Sequence, residues 1–177
     1  DSSRIYGLEL EEIFSPNRVN YLVDNQTLVE DHVVGIPVDD FILKNKTIKI
    51  ENRLRLAKEF VKFNERCFVR LLGDMRAYNF VVEITQDFDN IQYRLIAMDF
   101  DQQSFEGRMN IYRPQFYKDN IELVKLVQEV MSIEMATQYQ RIERVAMKKR
   151  FFASKRRTRS LLRIMKKDIV STKKNVE

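Results

Sequence analysis

Five polar residues in this chain have types and spacing that could handle a phosphate and a metal ion. Asp74, Arg76 and Asn79 stand in "RLLGDMRAYNF", residues 70–80, between two apolar runs. Asp99 and Asp101 stand in "IAMDFDQ", residues 96–102. Asp and Asn oxygens are hard donors, and hard donors suit Mg²⁺, which takes few protein ligands and keeps room for phosphate oxygens. A carboxylate held outside the metal shell, Asp74, could accept a proton from a hydroxyl. Arg76, two positions on, could neutralise charge on a transferred phosphoryl group. Asp74 and Asn79 are equally ordinary as turn formers, and Asp101 as a solvated acid. Whether they form a site depends on whether the chain brings residues 79 and 99 together.

The flanking sequence predicts that it does. Residues 51–69 place Leu54, Ala57, Phe60, Val61, Asn64 and Phe68 at three- and four-residue steps, the pattern of an amphipathic helix with its charges on the opposite side. Gly73 is expected to stop it. "NFVVEITQ" and "IQYRLIAM" are two β-rich runs around "DFDN", a hairpin signal. A hairpin returns the chain to its starting point, so Asp99 should land beside Asn79. Residues 26–34 read as a strand entering a turn, with Gly35 and Pro37 as punctuation. Residues 100–117 read as an irregular aromatic stretch, and 118–152 as one long helix. Ser154 is placed to cap a last basic helix holding Leu161, Leu162, Ile164 and Met165. The expected class is α+β, mostly helical.

These residues resemble a family. "GDMRAYN" followed by a hairpin and "IAMDFDQ" looks like the catalytic loop and metal motif of the protein-kinase-like superfamily, closest to the aminoglycoside and choline phosphotransferases. The resemblance implies a kinase-like C-terminal lobe that uses ATP and Mg²⁺. Asp74 would be the catalytic base, with Arg76 supporting the phosphates. Asn79, Asp99 and Asp101 would hold the metal. "LVEDHVVGIPVDDFI" looks like the strand and hinge that hold adenine, with the backbone near Glu30, Asp31 and His32 facing the base. By this reading residues 1–50 are a remnant of the N-terminal lobe and hinge, 51–153 the C-lobe core, and 154–177 a basic tail.

The sequence departs from the family's pattern in two places. Leu72 stands where the family carries a His. Residues 1–25 hold one glycine, Gly7, and no lysine; Arg4 and Arg18 are their only cations. The glycine-rich loop and the strand lysine of an upper lobe are therefore not in these residues. This keeps a second expectation open, a catalytically inactive relative that acts as an interaction module.

Composition narrows the other classes. The chain has 177 residues with 44% hydrophobic, and its 12 Phe and 7 Tyr are enough for a sizeable core. It does not begin with Met, which fits a piece of a longer protein, and its polar, acidic start has no signal-peptide character. One cysteine, Cys67, excludes an internal disulfide and fits a reducing cytoplasm; with a single histidine, His32, it makes a zinc site improbable. The net charge of +5 hides an asymmetry. Residues 144–177 carry 13 Lys and Arg against Asp168 and Glu177, while residues 1–143 carry 18 basic and 24 acidic residues. The basic tail invites an anionic partner, nucleic acid or membrane surface, or docking on the acidic body.

Overall fold

A computed structural model describes residues 2–44, 50–87 and 90–168. The chain is α+β and mostly helical, with two small antiparallel sheets. A helix, α1 (Ser2–Phe14), leads into a two-stranded sheet of β1 (Tyr21–Asp24) and β2 (Thr27–Glu30). A short strand β3 (Ile36–Pro37) and helix α2 (Val38–Lys44) follow, then the long α3 (Ile50–Arg70). The hairpin β4 (Phe80–Asp87) and β5 (Asn90–Ala97) comes next. After three 3-10 turns within residues 109–120, the chain ends in α4 (Ile121–Val130), α5 (Ile133–Ala153) and α6 (Lys155–Met165).

The hairpin has the expected register, closing with Phe80 opposite Ala97. β3 adds a third strand through Ile36 opposite Val82. Pro37 is tolerated there because β3 is an edge. Gly35 precedes it at a position where a Cβ would lie 2.6 Å from Val81 Cγ2, so the backbone approach requires glycine. One face of the sheet packs on α3, where Phe63 stacks on Phe80 at 4.6 Å between ring centres. Leu8, Val19, Val38 and Phe41 share this core with Leu56, Phe60, Cys67, Leu95 and Leu123, so residues before and after position 50 are buried together.

Strand β1 and helix α2 were not expected from the sequence, and three further elements differ from expectation. First, α1 is absent from the sequence reading because it has no single apolar stripe. Tyr6, Leu10 and Ile13 face Leu161 of α6, Leu8 enters the main core, Gly7 lies on Phe100, and Glu11 is buried. A helix covered on several sides lacks the amphipathic signature. Second, the helix expected over 118–152 is broken. Met131 is extended, and Ser132 starts α5 by accepting a hydrogen bond from Met135 N. The Ser132 cap allows α4 and α5 to pack separately against α3. Third, Ser154 begins α6 in position, yet its side chain makes no cap; its carbonyl accepts from the Thr158 hydroxyl at 3.0 Å.

α3 also differs in its charged side. Glu65, Arg66 and Arg70 are buried rather than solvated, because α1 and α5 cover them. Arg66 pairs with Glu143 at 3.4 Å, Glu65 with Arg144, and Arg70 with Glu11. Buried charges persist only when paired.

Gly7 gives a test of α1 docking. A Cβ there would lie 2.7 Å from Phe100 Cβ and 3.1 Å from Phe100 O. Mid-helix Gly→Ala ordinarily gains about 0.5–1 kcal/mol, whereas overpacking costs about 1–3 kcal/mol. Gly7→Ala is expected to lower the denaturant midpoint, because the clash involves backbone that cannot rotate away. A raised midpoint would mean that α1 does not sit this close to Phe100.

Candidate functional site

The loop after α3 is set by unusual backbone. Leu71 takes φ 59°, and Leu72 N–H donates back to Cys67 O at 2.9 Å, a left-handed helix ending. Leu71, rather than Gly73, therefore ends α3. Gly73 is needed for a different reason: its N–H donates to Gln102 O at 3.0 Å, and a Cβ would meet that same oxygen at 3.2 Å.

This contact belongs to a junction between the two loops. Leu72 and Gln103 form an isolated antiparallel bridge, and Ser104 N–H donates to Leu71 O at 2.7 Å. Gln103 is fully buried, and its Nε2 donates to Arg70 O, to Leu71 O at 3.1 Å and to Ser104 Oγ at 3.0 Å. Leu72, the residue standing where the resembled family has His, is buried in the core. At the other end of the hairpin, Met98 N–H donates to Asn79 O at 2.9 Å. The segments holding Asn79 and Asp99 are thus adjacent.

Asp74 is held at φ 54°, a left-handed conformation that Asp tolerates better than most residues. Its N–H donates to the Tyr117 hydroxyl at 3.0 Å, which in turn donates to Ile111 O at 2.8 Å. Burial pushes the Tyr117 phenol up, so it stays neutral while holding this backbone. Arg76 Nε donates to Asp74 Oδ1 at 2.9 Å, which pushes the guanidinium up. Asn79 Nδ2 donates to Asp74 O at 2.7 Å and lies 3.5 Å from Asp74 Oδ2. That fixes the amide and leaves Asn79 Oδ1 as the atom available to a cation. Below the loop, buried Asn120 donates to Met75 O and Pro114 O, both at 2.8 Å. The aromatic stretch 100–117 therefore contributes anchors, Tyr112 inside the fold and Tyr117 on the loop.

Asp99 and Asp101 turn towards a residue that the sequence pattern did not single out. Arg4 Nη1 lies 3.3 Å from Asp99 Oδ1 and 3.2 Å from Asp101 Oδ1, and Nη2 donates to Met98 O at 3.3 Å. The same guanidinium binds both oxygens of Glu30. The Glu30 carboxylate pushes it up, and burial only partly opposes this. Asp101 N–H also donates to Asp99 Oδ1 at 3.0 Å. Ser3 Oγ donates to Asp101 O at 2.7 Å, so the first turn of α1 clamps the segment. No spacing in residues 2–14 marks Arg4, because the apolar residues of α1 are divided between two clusters.

The expected hinge residues are distributed differently. Glu30 faces Arg4, Asp31 N–H donates to Asn20 O at 2.8 Å while its carboxylate accepts from Asn20 Nδ2 at 2.7 Å, and His32 is exposed. Among the described residues, no group of three or more His, Cys, Asp and Glu is placed to hold a metal ion. The donor set expected from the sequence is one amide, Asn79, and two carboxylates, Asp99 and Asp101, both in contact with Arg4. Its chemistry fits Mg²⁺, which completes its shell with water and phosphate oxygens. No described helix is long and apolar enough to cross a membrane. Comparison with family models, with curated proteins and with solved structures returned no match.

Proposed function

We propose that this chain is the lower lobe of a kinase-like phosphotransferase that moves a phosphoryl group from Mg–ATP to a hydroxyl on a small molecule or another acceptor. The observation that carries this reading is the joining of the 71–79 loop to the 98–104 segment, by the hairpin on one side and the Leu72–Gln103 bridge on the other. Backbone held in a sparsely populated conformation at Asp74 is consistent with a site that needs one fixed orientation. Asp74 would orient the acceptor hydroxyl and take its proton, while Arg76 holds the carboxylate through Nε and presents its Nη edge to phosphate. Asn79, Asp99 and Asp101 would hold Mg²⁺, which neutralises phosphate charge when bound. Catalysis of this type is mainly placement and charge compensation. Residues 30–32 would meet the adenine. Leu22 and Val29 pair across a two-stranded sheet and are 75% and 58% exposed, an apolar face on which strands of an upper lobe could pack.

One observation favours a second reading, a catalytically inactive relative: Arg4 already supplies a cation to Asp99 and Asp101. Thermal unfolding with Mg²⁺ and ATP separates the two. The phosphotransferase reading expects a rise in Tm that disappears in Asp99→Asn and is larger in Arg4→Gln, where the competing guanidinium is gone. No rise in either the wild type or Arg4→Gln, with the fold intact, would leave the inactive reading standing.

A further inference from the structure

Of the 13 cations of residues 144–177, the 11 among the described residues do not form one surface. Arg144 pairs with Glu65, and Arg150 lies 3.8 Å from Glu143 and donates to Phe14 O at 3.2 Å. Arg157 makes three hydrogen bonds to Glu9 and Glu12 of α1, at 2.9–3.0 Å. These three are spent on holding α5 and α6 to the body. The hydrogen bond from Arg157 also pulls the Glu12 carboxyl below its ordinary range.

Of the eight described cations left, Lys148 and Lys149 stand exposed on α5, and the other six are ordered along α6. With 3.6 residues per turn, Lys155, Arg156, Arg159, Arg163, Lys166 and Lys167 fall on the side of α6 opposite Thr158 and Leu161, which are buried. All six are exposed, and none pairs with an acid among the described residues. The first acid after them, Asp168, accepts from the Tyr6 hydroxyl at 2.8 Å on the α1 side. From Lys155 to Lys167, twelve steps at 1.5 Å rise make a stripe about 18 Å long.

We propose that this stripe is a docking surface for the phosphate backbone of a nucleic-acid duplex. A duplex carries one charge per about 1.7 Å of axis, so about ten phosphates lie along that length. Arg156, Arg159 and Arg163 are suited to paired hydrogen bonds with phosphate oxygens. A lipid surface fits less well. A helix lying in a membrane interface turns its apolar face to the acyl chains, and α6 has already packed Leu161 and Met165 against Tyr6, Leu10 and Ile13. Exposed Leu162 and Ile164 lie on the flanks of the stripe, outside it. The proposal stands apart from the phosphotransferase reading and uses none of its residues.

The test is binding of the full chain to a fluorescent 20-base-pair DNA or RNA duplex, and separately to phosphatidylserine vesicles, from 50 to 200 mM salt. The variant R156E/R159E/R163E alters the stripe, and K44E/R94E/K125E makes the same charge change elsewhere. Affinity for the duplex should fall with salt at a log–log slope of about −4 to −5. The stripe variant should bind on the order of 100-fold more weakly, with unchanged circular dichroism, and the control should bind nearly as wild type. Equal loss in both variants, a flat salt response, binding to vesicles alone, or no binding would each overturn it.

Discussion

Glu11→Leu is expected to destabilise the protein by about 3–5 kcal/mol. Glu11 and Arg70 are 3% and 5% exposed and pair across the α1–α3 contact. Burial pushes the Arg70 guanidinium down, and among the described residues its ion-pair partner is Glu11. Removing Glu11 leaves an uncompensated charge in the core beside Phe100, over whose ring Arg70 lies at 5.7 Å. For a chain of this size the loss corresponds to a fall in Tm of roughly 10 °C. The double variant Glu11→Leu with Arg70→Met should recover most of it, because removing both charges also removes the desolvation penalty. A single-variant loss below about 1 kcal/mol, by urea denaturation, would mean that the pair is open to water. The result bears on the site as well, since α1 carries Arg4 and Ser3 to the 98–103 segment.

On the proposed phosphotransferase reading, Asp74→Asn is expected to reduce phosphoryl transfer by about 10²–10⁴-fold, the range for losing a general base. The Mg–ATP-induced rise in Tm should survive. Asn is nearly isosteric and accepts a left-handed backbone, so the φ of 54° and the hydrogen bond to Tyr117 should persist. Transfer from ATP measured by radiolabel, alongside the thermal shift, separates the roles: base chemistry at Asp74, cation binding at Asp99. Undiminished transfer in Asp74→Asn would remove it from the reaction. Loss of the nucleotide-induced shift would instead place Asp74 among the ligand contacts.

The parts of this protein legible in the sequence are those whose signal is local. The helix over 51–69 follows from apolar residues at three- and four-residue steps, and the hairpin from two β-rich runs on either side of "DFDN". Residues 88–89 themselves lie outside the described residues. The adjacency of the segments holding Asn79 and Asp99 follows from the hairpin, and that much was legible in the sequence.

Tertiary structure decided the rest, for a shared physical reason: partners distant in sequence determined what each charge and helix face would do. α1 is covered on several sides and shows no stripe, so neither it nor the Arg4 clamp on Asp99 and Asp101 could be read from spacing. Met131 and Ser132 break a helix whose apolar pattern runs on without interruption, because α4 and α5 each find their own contact on α3. Glu65, Arg66 and Arg70 look solvated in a helical projection and are buried because α1 and α5 bring opposite charges to them. The basic tail is one block of like charge in the sequence; folding spends Arg144, Arg150 and Arg157 on the body and leaves the outer face of α6 unpaired. Periodicity records which residues avoid water, and only the packed chain records which charges find each other.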